Sequence, residues 1–276
     1  MFLAGHSVYT NGFLRTKKMI NKDFQEIIKA ARVGGAVVKK YFGKNLEITG
    51  KTIPADFKTK ADMESEEVIL KILTKKFPSY NIISEETGEI NKNSEYTFII
   101  DPLDGTNNFV LGIPYFSVAI GLVHKDEIIF GVVYEPVINN IYYAEKGRGS
   151  YLNGKKIICN KEKDIQNSTI SVVVSYDCPA VYEDKIIADL NAKNIKRILK
   201  NWSCLLDMCL LASGKIEAVI MDKISLHDFI AAKIIAKEAG VLITEYSGNI
   251  EKNDKNDTFL ATNGTKIHQE ILKVLQ

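Results

Sequence analysis

The order of apolar and polar residues near the start of the chain predicts two amphipathic helices. Between residues 21 and 42 apolar side chains recur at helical spacing, and Gly43 follows as a stop signal. A second helix is predicted over residues 62–77, because this segment opens with an acidic turn and ends before a proline. Two short strands, residues 80–84 and 96–101, then flank the polar segment 85–95.

Further along the chain the apolar residues alternate with a period of two, which is typical of strands. Strands are predicted over residues 116–123, 127–135 and 140–145. Residues 151–157 are predicted to form a hairpin that turns at Asn153-Gly154. Because these strands follow one another through short connections, they predict a meander in an antiparallel sheet.

Beyond residue 160 strands and helices alternate, which favours helices packed over a second sheet. The predicted strands cover residues 169–175, 195–199, 216–222, 241–244 and 258–262, and the predicted helices cover residues 181–192, 203–213, 227–239 and 265–275. We place a soft boundary near Lys161 and expect two halves, residues 21–160 and 161–276, to share a cleft. Residues 1–20 match no periodic pattern, and we interpret them as a disordered extension or as the product of a misplaced start before Met19.

The composition indicates a globular protein and excludes several functional classes. The 276 residues are 46% hydrophobic, and the formal net charge is +2 with acids and bases interleaved. This balance leaves no basic surface for nucleic acid, so nucleic-acid binding is not expected. The four cysteines form no CxxC pair and the first residues do not resemble a signal peptide, which favours reduced thiols in a cytoplasmic protein. No apolar run reaches the roughly 18 residues of a membrane helix, so membrane insertion is not expected.

The stretch IIDPLDGTNNF, residues 99–109, places two carboxylates three positions apart at the end of an apolar run. Asp101 is predicted to end a strand, and Asp104 is predicted to cap the short helix TNNFVLG. Gly105 and Thr106 then supply the first N–H groups of that helix, whose N-terminus favours an anion such as phosphate. Two carboxylates beside an anion site repel each other and the anion, and cations between the acids would remove this repulsion. Each acid taken alone also fits an ordinary turn or a helix cap.

Other acids strengthen the prediction of a metal centre. Glu85 and Glu86 end the preceding strand, and Asp228 begins a helix after the strand EAVIMD. These candidate ligands are all oxygens, with no Cys or His near Asp101 in the sequence, and such a set selects a hard cation such as Mg²⁺ over zinc. Two such ions about 3.5–4 Å apart can clamp a phosphate and lower the pKa of bound water.

The same residues carry a resemblance to the inositol monophosphatase family of Mg²⁺-dependent, lithium-sensitive phosphatases. DPLDGTNNF resembles the family's D-P-[IL]-D-G-T-x-N-F signature, and SEE resembles its G-E-E turn. DFKTKAD, with Lys51 upstream, resembles the family's D-x-x-T-x-x-D segment. FGVVYEPVINNIYYAEKGRGSYLNGKKI and HDFIAAKIIAKEAGVLITEYSG are similar to its meander and its C-terminal motif. The matches run over most of the chain from Asn21.

The resemblance implies a layered αβαβα sugar-phosphatase fold of the α+β class, with an antiparallel meander sheet and a second C-terminal sheet, and a homodimer. The implied ligands of two or three Mg²⁺ ions are Glu85, Asp101, the Leu103 carbonyl, Asp104, Asp228 and, for the weaker third ion, Asp62. The implied catalytic residues are Glu85 and Thr106, which orient the attacking water, and Asp104. The implied phosphate and substrate contacts are Gly105, Thr106, Asp228 and Ser203.

Several positions depart from the family pattern. Ser84 replaces the glycine of the G-E-E turn, and His227 replaces the usual tryptophan before the last metal ligand, which we interpret as a packing substitution. Met221 stands where inositol-specific members carry a glutamate. Trp202 stands where a G-T or G-S pair normally begins, and its indole is expected either to reshape the sugar pocket or to pack in the core. These departures weaken specificity for inositol and leave the metal ligands intact.

The predicted function is a Mg²⁺-dependent phosphomonoesterase that hydrolyses inositol 1-phosphate or a similar small polyol or sugar phosphate. Alternatives with the same chemistry act on fructose 1,6-bisphosphate, a 3′-phosphoadenosine nucleotide or NADP, and Met221 and Trp202 motivate them. An alternative of another class is a non-catalytic regulatory module on the same scaffold. The altered substrate wall favours that alternative, whereas the complete set of acids opposes it.

Overall fold

The computed structural model describes residues 22–44, 48–50 and 57–276. The expected extension at residues 1–20 and the resemblance at Lys51 and Asp56 lie outside these described residues. Within them, the predicted helices and strands are found with ends that shift by one to three residues at most positions.

The first half of the chain combines helices with an eight-stranded sheet. Its helices are α1 (Lys22–Tyr41), α2 (Lys60–Lys76) and the short α3 (Thr106–Leu111). A small hairpin before α2 consists of β1 (Ile48–Gly50) and β2 (Phe57–Thr59). The strands of the large sheet are β3 (Asn81–Ser84), β4 (Gly88–Ile90), β5 (Tyr96–Asp104), β6 (Ser117–His124), β7 (Glu127–Glu135), β8 (Asn140–Glu145), β9 (Gly149–Leu152) and β10 (Lys155–Ile157).

The large sheet contains the predicted antiparallel meander together with two further strands. Its order is β10-β9-β8-β7-β6-β5-β3-β4, and neighbours from β5 to β10 are antiparallel. β3 pairs with β5 in parallel, so the whole sheet is mixed. The segment 85–95, predicted to be only a polar connection, contains β4, whose N–H and C=O groups pair with β3.

The second half forms a five-stranded mixed sheet with four helices. The strands are β11 (Thr169–Val174), β12 (Arg197–Leu199), β13 (Ala218–Asp222), β14 (Leu242–Thr244) and β15 (Phe259–Thr262). The helices are α4 (Ala180–Ala192), α5 (Cys204–Ala212), α6 (Ile230–Glu238) and α7 (Ile267–Leu275). The order is β12-β11-β13-β15-β14, in which β11 is parallel to both neighbours. The helix predicted over residues 227–239 is divided into a 3₁₀ turn, Leu226–Asp228, and α6.

Three hydrophobic cores hold these elements in five layers. The first core joins α1 and α2 to the large sheet, the second fills the space between the two sheets around α5 and α6, and the third joins α4 and α7 to the small sheet. Gly131 of β7 allows α6 to approach closely, since a Cβ at Gly131 would overlap the Ala231 carbonyl oxygen. The predicted αβαβα fold is therefore confirmed. The boundary near Lys161 stays a prediction, because the second core contains residues from both halves.

All four cysteines lie within the described residues and are free thiols. None of the described helices has the length and apolar content needed to cross a membrane.

Candidate active site

A cavity of about 590 Å³ opens between the two halves of the chain. Its walls come from the turn after β3, the end of β5, the start of α3, strand β11, the loop before α5 and the loop after β13. The predicted site residues that line it are Glu85, Asp101, Leu103, Asp104, Gly105, Thr106, Ser203 and Asp228. Residues that are far apart in the sequence thus meet in one cleft between the halves.

The backbone around the two aspartates differs from the prediction. β5 continues through Asp104 instead of ending at Asp101, and its pairing with β6 becomes irregular between these two residues. The cap of α3 is therefore Gly105 and not Asp104. Gly105 has φ +85°, a left-handed conformation that glycine adopts without a steric penalty. The irregularity permits both acids to face the same cavity, since regular pleating would direct residues an odd number of positions apart to opposite faces.

Asp101 is a buried acid surrounded by other acids. Its side chain is 1% exposed, and one carboxylate oxygen accepts a hydrogen bond of 3.0 Å from the backbone N–H of Leu103. Burial raises the pKa of Asp101 well above its ordinary value, and the charges of Glu85, Asp104 and Asp228 raise it further. Ionised Asp101 is therefore costly until a cation neutralises the cluster.

Asp104 is also buried, and two hydroxyl groups hold its carboxylate. Ser203 Oγ donates to Oδ2 over 2.5 Å, and Ser117 Oγ donates to the same oxygen over 2.9 Å. Burial raises the pKa of Asp104 to about 7, against the lowering effect of the Ser203 hydrogen bond. Ser203, which the resemblance assigns to substrate contact, lines the cavity and orients this acid.

Cys204 lies in the acidic cluster, contrary to the expectation that no cysteine is near it. One oxygen or sulfur atom each of Asp104, Cys204 and Asp228 lie within 4.8 Å of one another, and Cys204 Sγ is 3.7 Å from Asp104 Oδ1. Burial and the neighbouring acids raise the pKa of the Cys204 thiol, which keeps it protonated and lets it donate to Asp104. The only sequence signal for this residue is its position directly after Ser203.

Glu85 lies in a turn that is held by an acid the sequence analysis did not identify. Glu66 of α2 is 3% exposed and accepts hydrogen bonds from the hydroxyls of Ser84 and Thr87. Its carboxylate also accepts from the backbone N–H of Glu86 over 3.1 Å. The serine that replaces the family's glycine thus supplies a hydroxyl for this interaction. Glu66 therefore fixes the turn that carries Glu85.

The second acid of this turn, Glu86, has a structural partner. Its side chain is buried and forms an ion pair of 3.1 Å with Lys58 of β2. Glu86 does not line the cavity, so it joins the turn to the β1–β2 hairpin, whereas Glu85 faces the cleft.

We expect Glu66→Gln to lower the affinity of the cavity for Mg²⁺ and the rate of phosphate-ester hydrolysis that the resemblance implies. The amide is uncharged and one of its two terminal atoms donates instead of accepting, so the charge-assisted bonds that hold the turn are weakened and the turn carrying Glu85 loosens. Loss of such a supporting group costs roughly 10–100-fold in activity or metal affinity. Initial rates measured across a Mg²⁺ titration test this expectation.

Glu64→Gln is the matched control for this variant. Glu64 lies one helical half-turn earlier and accepts a 2.8 Å hydrogen bond from Tyr41, away from the cavity. Equal rates and equal Mg²⁺ half-saturation for the two variants would contradict the role given to Glu66.

Thr106 connects the cavity to the acid at the start of α2. Its hydroxyl lies 2.9 Å from the Leu103 carbonyl oxygen and 3.4 Å from Asp62 Oδ1. Asp62 is 1% exposed, accepts from the backbone and hydroxyl of Thr59 in a capping box, and does not line the cavity. Burial raises the pKa of Asp62 to about 7. Asp62 thus lies behind Thr106, in keeping with the outer position that the resemblance implies.

The substituted positions on the substrate side have different environments. Met221 is fully buried in the core between the sheets and does not line the cavity. His227 lies on the cavity wall with a side chain that is 20% exposed and Nε2 3.9 Å from Asp228 Oδ2, and its interpretation as a packing substitution stays a prediction. Trp202 lines the cavity and is 55% exposed, which excludes packing in the core.

The donor set of this cluster fits divalent magnesium. Carboxylates of Glu85, Asp101, Asp104 and Asp228 and the Leu103 carbonyl line one cavity, and hard oxygen ligands of this kind suit Mg²⁺. The charges of the neighbouring acids raise the pKa of Asp101, so a divalent ion relieves a repulsion that is built into the fold.

Comparison with known proteins gives a consistent result over nearly the whole described chain. The sequence profile of the inositol monophosphatase family matches residues 21–276. The chain is 39% identical over 223 residues to the fructose-1,6-bisphosphatase/inositol-1-monophosphatase of Methanocaldococcus jannaschii, covering 79% of this chain and 84% of that protein. It is 35% identical over 228 residues to Nus factor SuhB of Haemophilus influenzae, covering 80% and 85%.

The solved structure of a Thermotoga maritima IMPase matches with a TM-score of 0.82 and 32% identity, over 92% of this chain and 95% of that one. The arrangement of the acids in the cleft, the layered fold and these matches agree. The chain belongs to the inositol monophosphatase family.

Proposed function

We propose that this protein is a Mg²⁺-dependent phosphomonoesterase that hydrolyses a small polyol or sugar phosphate, with inositol 1-phosphate as the reference substrate. The observation that carries the proposal is the convergence of four acids from three separate segments on one cavity, with Asp101 and Asp104 almost completely buried. Buried carboxylates at this density are retained where they bind cations. Membership of a phosphatase family supports the same conclusion.

In this proposal each residue has a distinct role. Asp101, Asp104, Asp228, Glu85 and the Leu103 carbonyl would hold two Mg²⁺ ions, and Asp62 would belong to the outer shell of a weaker third ion. Bound Mg²⁺ supplies positive charge to the phosphoryl oxygens and lowers the pKa of coordinated water.

The attacking water is oriented by two of the chain's own groups. The Thr106 hydroxyl donates to the Leu103 carbonyl oxygen, which leaves its oxygen lone pairs to accept from the water. The Glu85 carboxylate accepts the second hydrogen of that water. The N–H groups of Gly105 and Thr106 orient the phosphate so that the water attacks in line with the leaving oxygen.

A regulatory module is the candidate from another class, and one observation favours it. The relative from Haemophilus influenzae is named Nus factor SuhB. This name indicates a regulatory role for a protein of similar sequence. For this chain, retention of the acidic cluster in a cavity favours hydrolysis over a purely regulatory role.

A phosphate-release panel tests the proposed function. The substrates are inositol 1-phosphate, fructose 1,6-bisphosphate, adenosine 3′,5′-bisphosphate and NADP, each with Mg²⁺, with EDTA, and with Mg²⁺ plus Li⁺. We expect Mg²⁺-dependent release from inositol 1-phosphate or another member of the panel, and inhibition by Li⁺. Absence of turnover on every substrate, together with no Mg²⁺ binding by calorimetry, would favour the regulatory alternative.

We also propose a homodimer in the cytoplasm. The family resemblance supports the dimer, and four free cysteines are typical of a reducing compartment. Light scattering of the purified chain tests the oligomeric state, since a monomer at micromolar concentration would contradict it.

A further inference from the structure

Trp202 has two properties that are unusual for a tryptophan. Its backbone has φ +54°, a left-handed conformation that bulky residues rarely adopt. Its side chain is 55% exposed on the wall of the cavity. Backbone strain of this kind persists where the surrounding structure enforces it, and it concentrates at functional sites.

The residues on both sides of Trp202 are fixed by hydrogen bonds. Asn201 donates through Nδ2 to Asp207 over 2.7 Å, and its carbonyl accepts from Asn108 Nδ2 over 2.7 Å. Ser203 donates to Asp104 over 2.5 Å. The Ser203 bond that orients a proposed metal ligand thus also fixes the backbone next to Trp202, whose side chain lines the cavity.

The buried acid beneath this loop makes the arrangement rigid. Asp207 is fully buried on α5 and accepts from the hydroxyls of Tyr115 and Ser171 over 2.8 Å and 2.6 Å, in addition to its bond with Asn201. Such a satisfied buried network specifies a single conformation. The backbone position from which the indole projects is thus set by the protein before any substrate binds.

A second exposed aromatic ring lines the same cavity. Tyr176, just after β11, is 58% exposed, and its hydroxyl accepts from Asn107 Nδ2 over 2.9 Å. Asn107 follows Thr106 on α3, so this bond ties Tyr176 to the end of the cavity where the phosphate is proposed to bind. The cavity volume of about 590 Å³ is in the range of pockets that hold drug-sized ligands, which leaves room for a second ring.

We propose that Trp202 is a specificity-determining residue that stacks on an aromatic ring of the substrate, so that the preferred esters are nucleoside phosphates. This inference rests on the proposed phosphatase activity, and it replaces the small polyol or sugar phosphate of that proposal by a nucleoside phosphate as the preferred substrate. Stacking of a base on an aromatic side chain tolerates different bases, because every base has a π-face. Tyr176 provides a further aromatic surface at the same cavity.

Competition between two substrates tests the role of Trp202. We compare kcat/KM for adenosine 3′,5′-bisphosphate and inositol 1-phosphate in the wild type, Trp202→Gly, Trp202→Phe and the control Ile138→Ala, whose exposed side chain lies away from the cavity. We expect Trp202→Gly to lower the nucleotide-to-inositol ratio by about 5- to 140-fold, the range that base stacking supports. Trp202→Phe is expected to keep most of the wild-type nucleotide-to-inositol ratio of kcat/KM, and Ile138→Ala is expected to leave that ratio unchanged.

Thermal unfolding of the same variants separates specificity from a structural role. Glycine adopts the left-handed conformation freely, so Trp202→Gly is expected to keep or raise Tm while losing the preference for the nucleotide. A fall in Tm together with an unchanged substrate ratio would overturn the proposal.

Fluorescence gives a readout that does not depend on turnover. Trp202 is the only tryptophan of the chain, so the indole signal reports on this position alone. On stopped-flow mixing in Mg²⁺, adenosine 3′,5′-bisphosphate is expected to quench the signal saturably, whereas inositol 1-phosphate leaves it nearly unchanged. Equal signals for the two compounds would overturn the stacking role. Saturable quenching by the nucleotide without hydrolysis of any ester would instead overturn the phosphatase activity and retain the stacking surface.

Discussion

Asp101→Asn is expected to lower kcat/KM for phosphate release by about a thousandfold or more. The change removes one negative charge from the centre of the acidic cluster, and metal ions of such sites contribute several kcal/mol to the stabilisation of transition-state charge. Asparagine keeps the shape of the side chain and still accepts from the Leu103 N–H, a bond of 3.0 Å in the wild type. The variant therefore folds, and its rates at saturating Mg²⁺ measure the lost charge.

Glu135→Gln is the matched control for the loss of a buried acid. Glu135 is 7% exposed, burial raises the pKa of its carboxyl, and it does not line the cavity. Its replacement is expected to leave the rate unchanged. Wild-type hydrolysis by Asp101→Asn, on the ester that the wild type hydrolyses best, would contradict the proposed metal centre.

The second large effect is on stability, where Mg²⁺ is expected to raise Tm more at pH 8 than at pH 5.5. At a hundredfold excess over Kd, a ligand stabilises the folded state by about 2.7 kcal/mol, which corresponds to roughly 5–10 °C for a chain of this size. At pH 5.5 the ion must displace protons from Asp101 and Asp104, because both have raised pKa values. The increase in Tm is therefore smaller in acid.

The metal-free protein is expected to show the opposite trend with pH. The pKa of Asp104 is about 7 in the fold and about 3.9 in the unfolded chain, so the native state binds more protons between these values. The free energy of unfolding then falls as pH rises from about 4 to 7. Scanning calorimetry with EDTA and with Mg²⁺ from pH 5 to 8 measures both trends. If the plots of Tm against pH with EDTA and with Mg²⁺ were parallel, so that Mg²⁺ raised Tm equally at every pH, this account would be contradicted.

Most of the fold could be predicted because each element has a clear apolar period. For the strands over residues 127–135 and 140–145, the ends predicted from the sequence are the ends observed in the structure. The weak elements were missed because they lack such a period. β4 has three residues, and it exists because β3 offers it a paired edge, which is a tertiary property. The parallel pairing of β3 with β5 is likewise set by chain topology.

The site was predicted by residue type and motif, whereas its supporting contacts were not. The acids at the end of β5 stand out in the sequence, since charged residues interrupt an apolar run there. Glu66 lies among other acids on the amphipathic helix α2, and only the turn that packs against it distinguishes it from a solvated residue. The sequence predicts Asp104 as the cap of α3, and this prediction is wrong because the irregular pairing that extends β5 has no local signal in the sequence.

Trp202 illustrates a choice that the sequence left open. An indole in a 46% hydrophobic chain is as compatible with a core position as with a pocket wall. The hydrogen bonds of Asn201 and Ser203 decide between them, and both involve partners that are distant in the sequence.

The assembly of the cluster from both halves has a consequence for the newly made protein. Asp101 and Asp104 leave the ribosome more than a hundred residues before Asp228, and Ser203 also follows them late. A nascent chain that ends before the 3₁₀ turn Leu226–Asp228 thus has only three of the four acids of the cluster. The proposed metal centre is therefore complete only after the turn Leu226–Asp228 has been synthesised and has packed against β5.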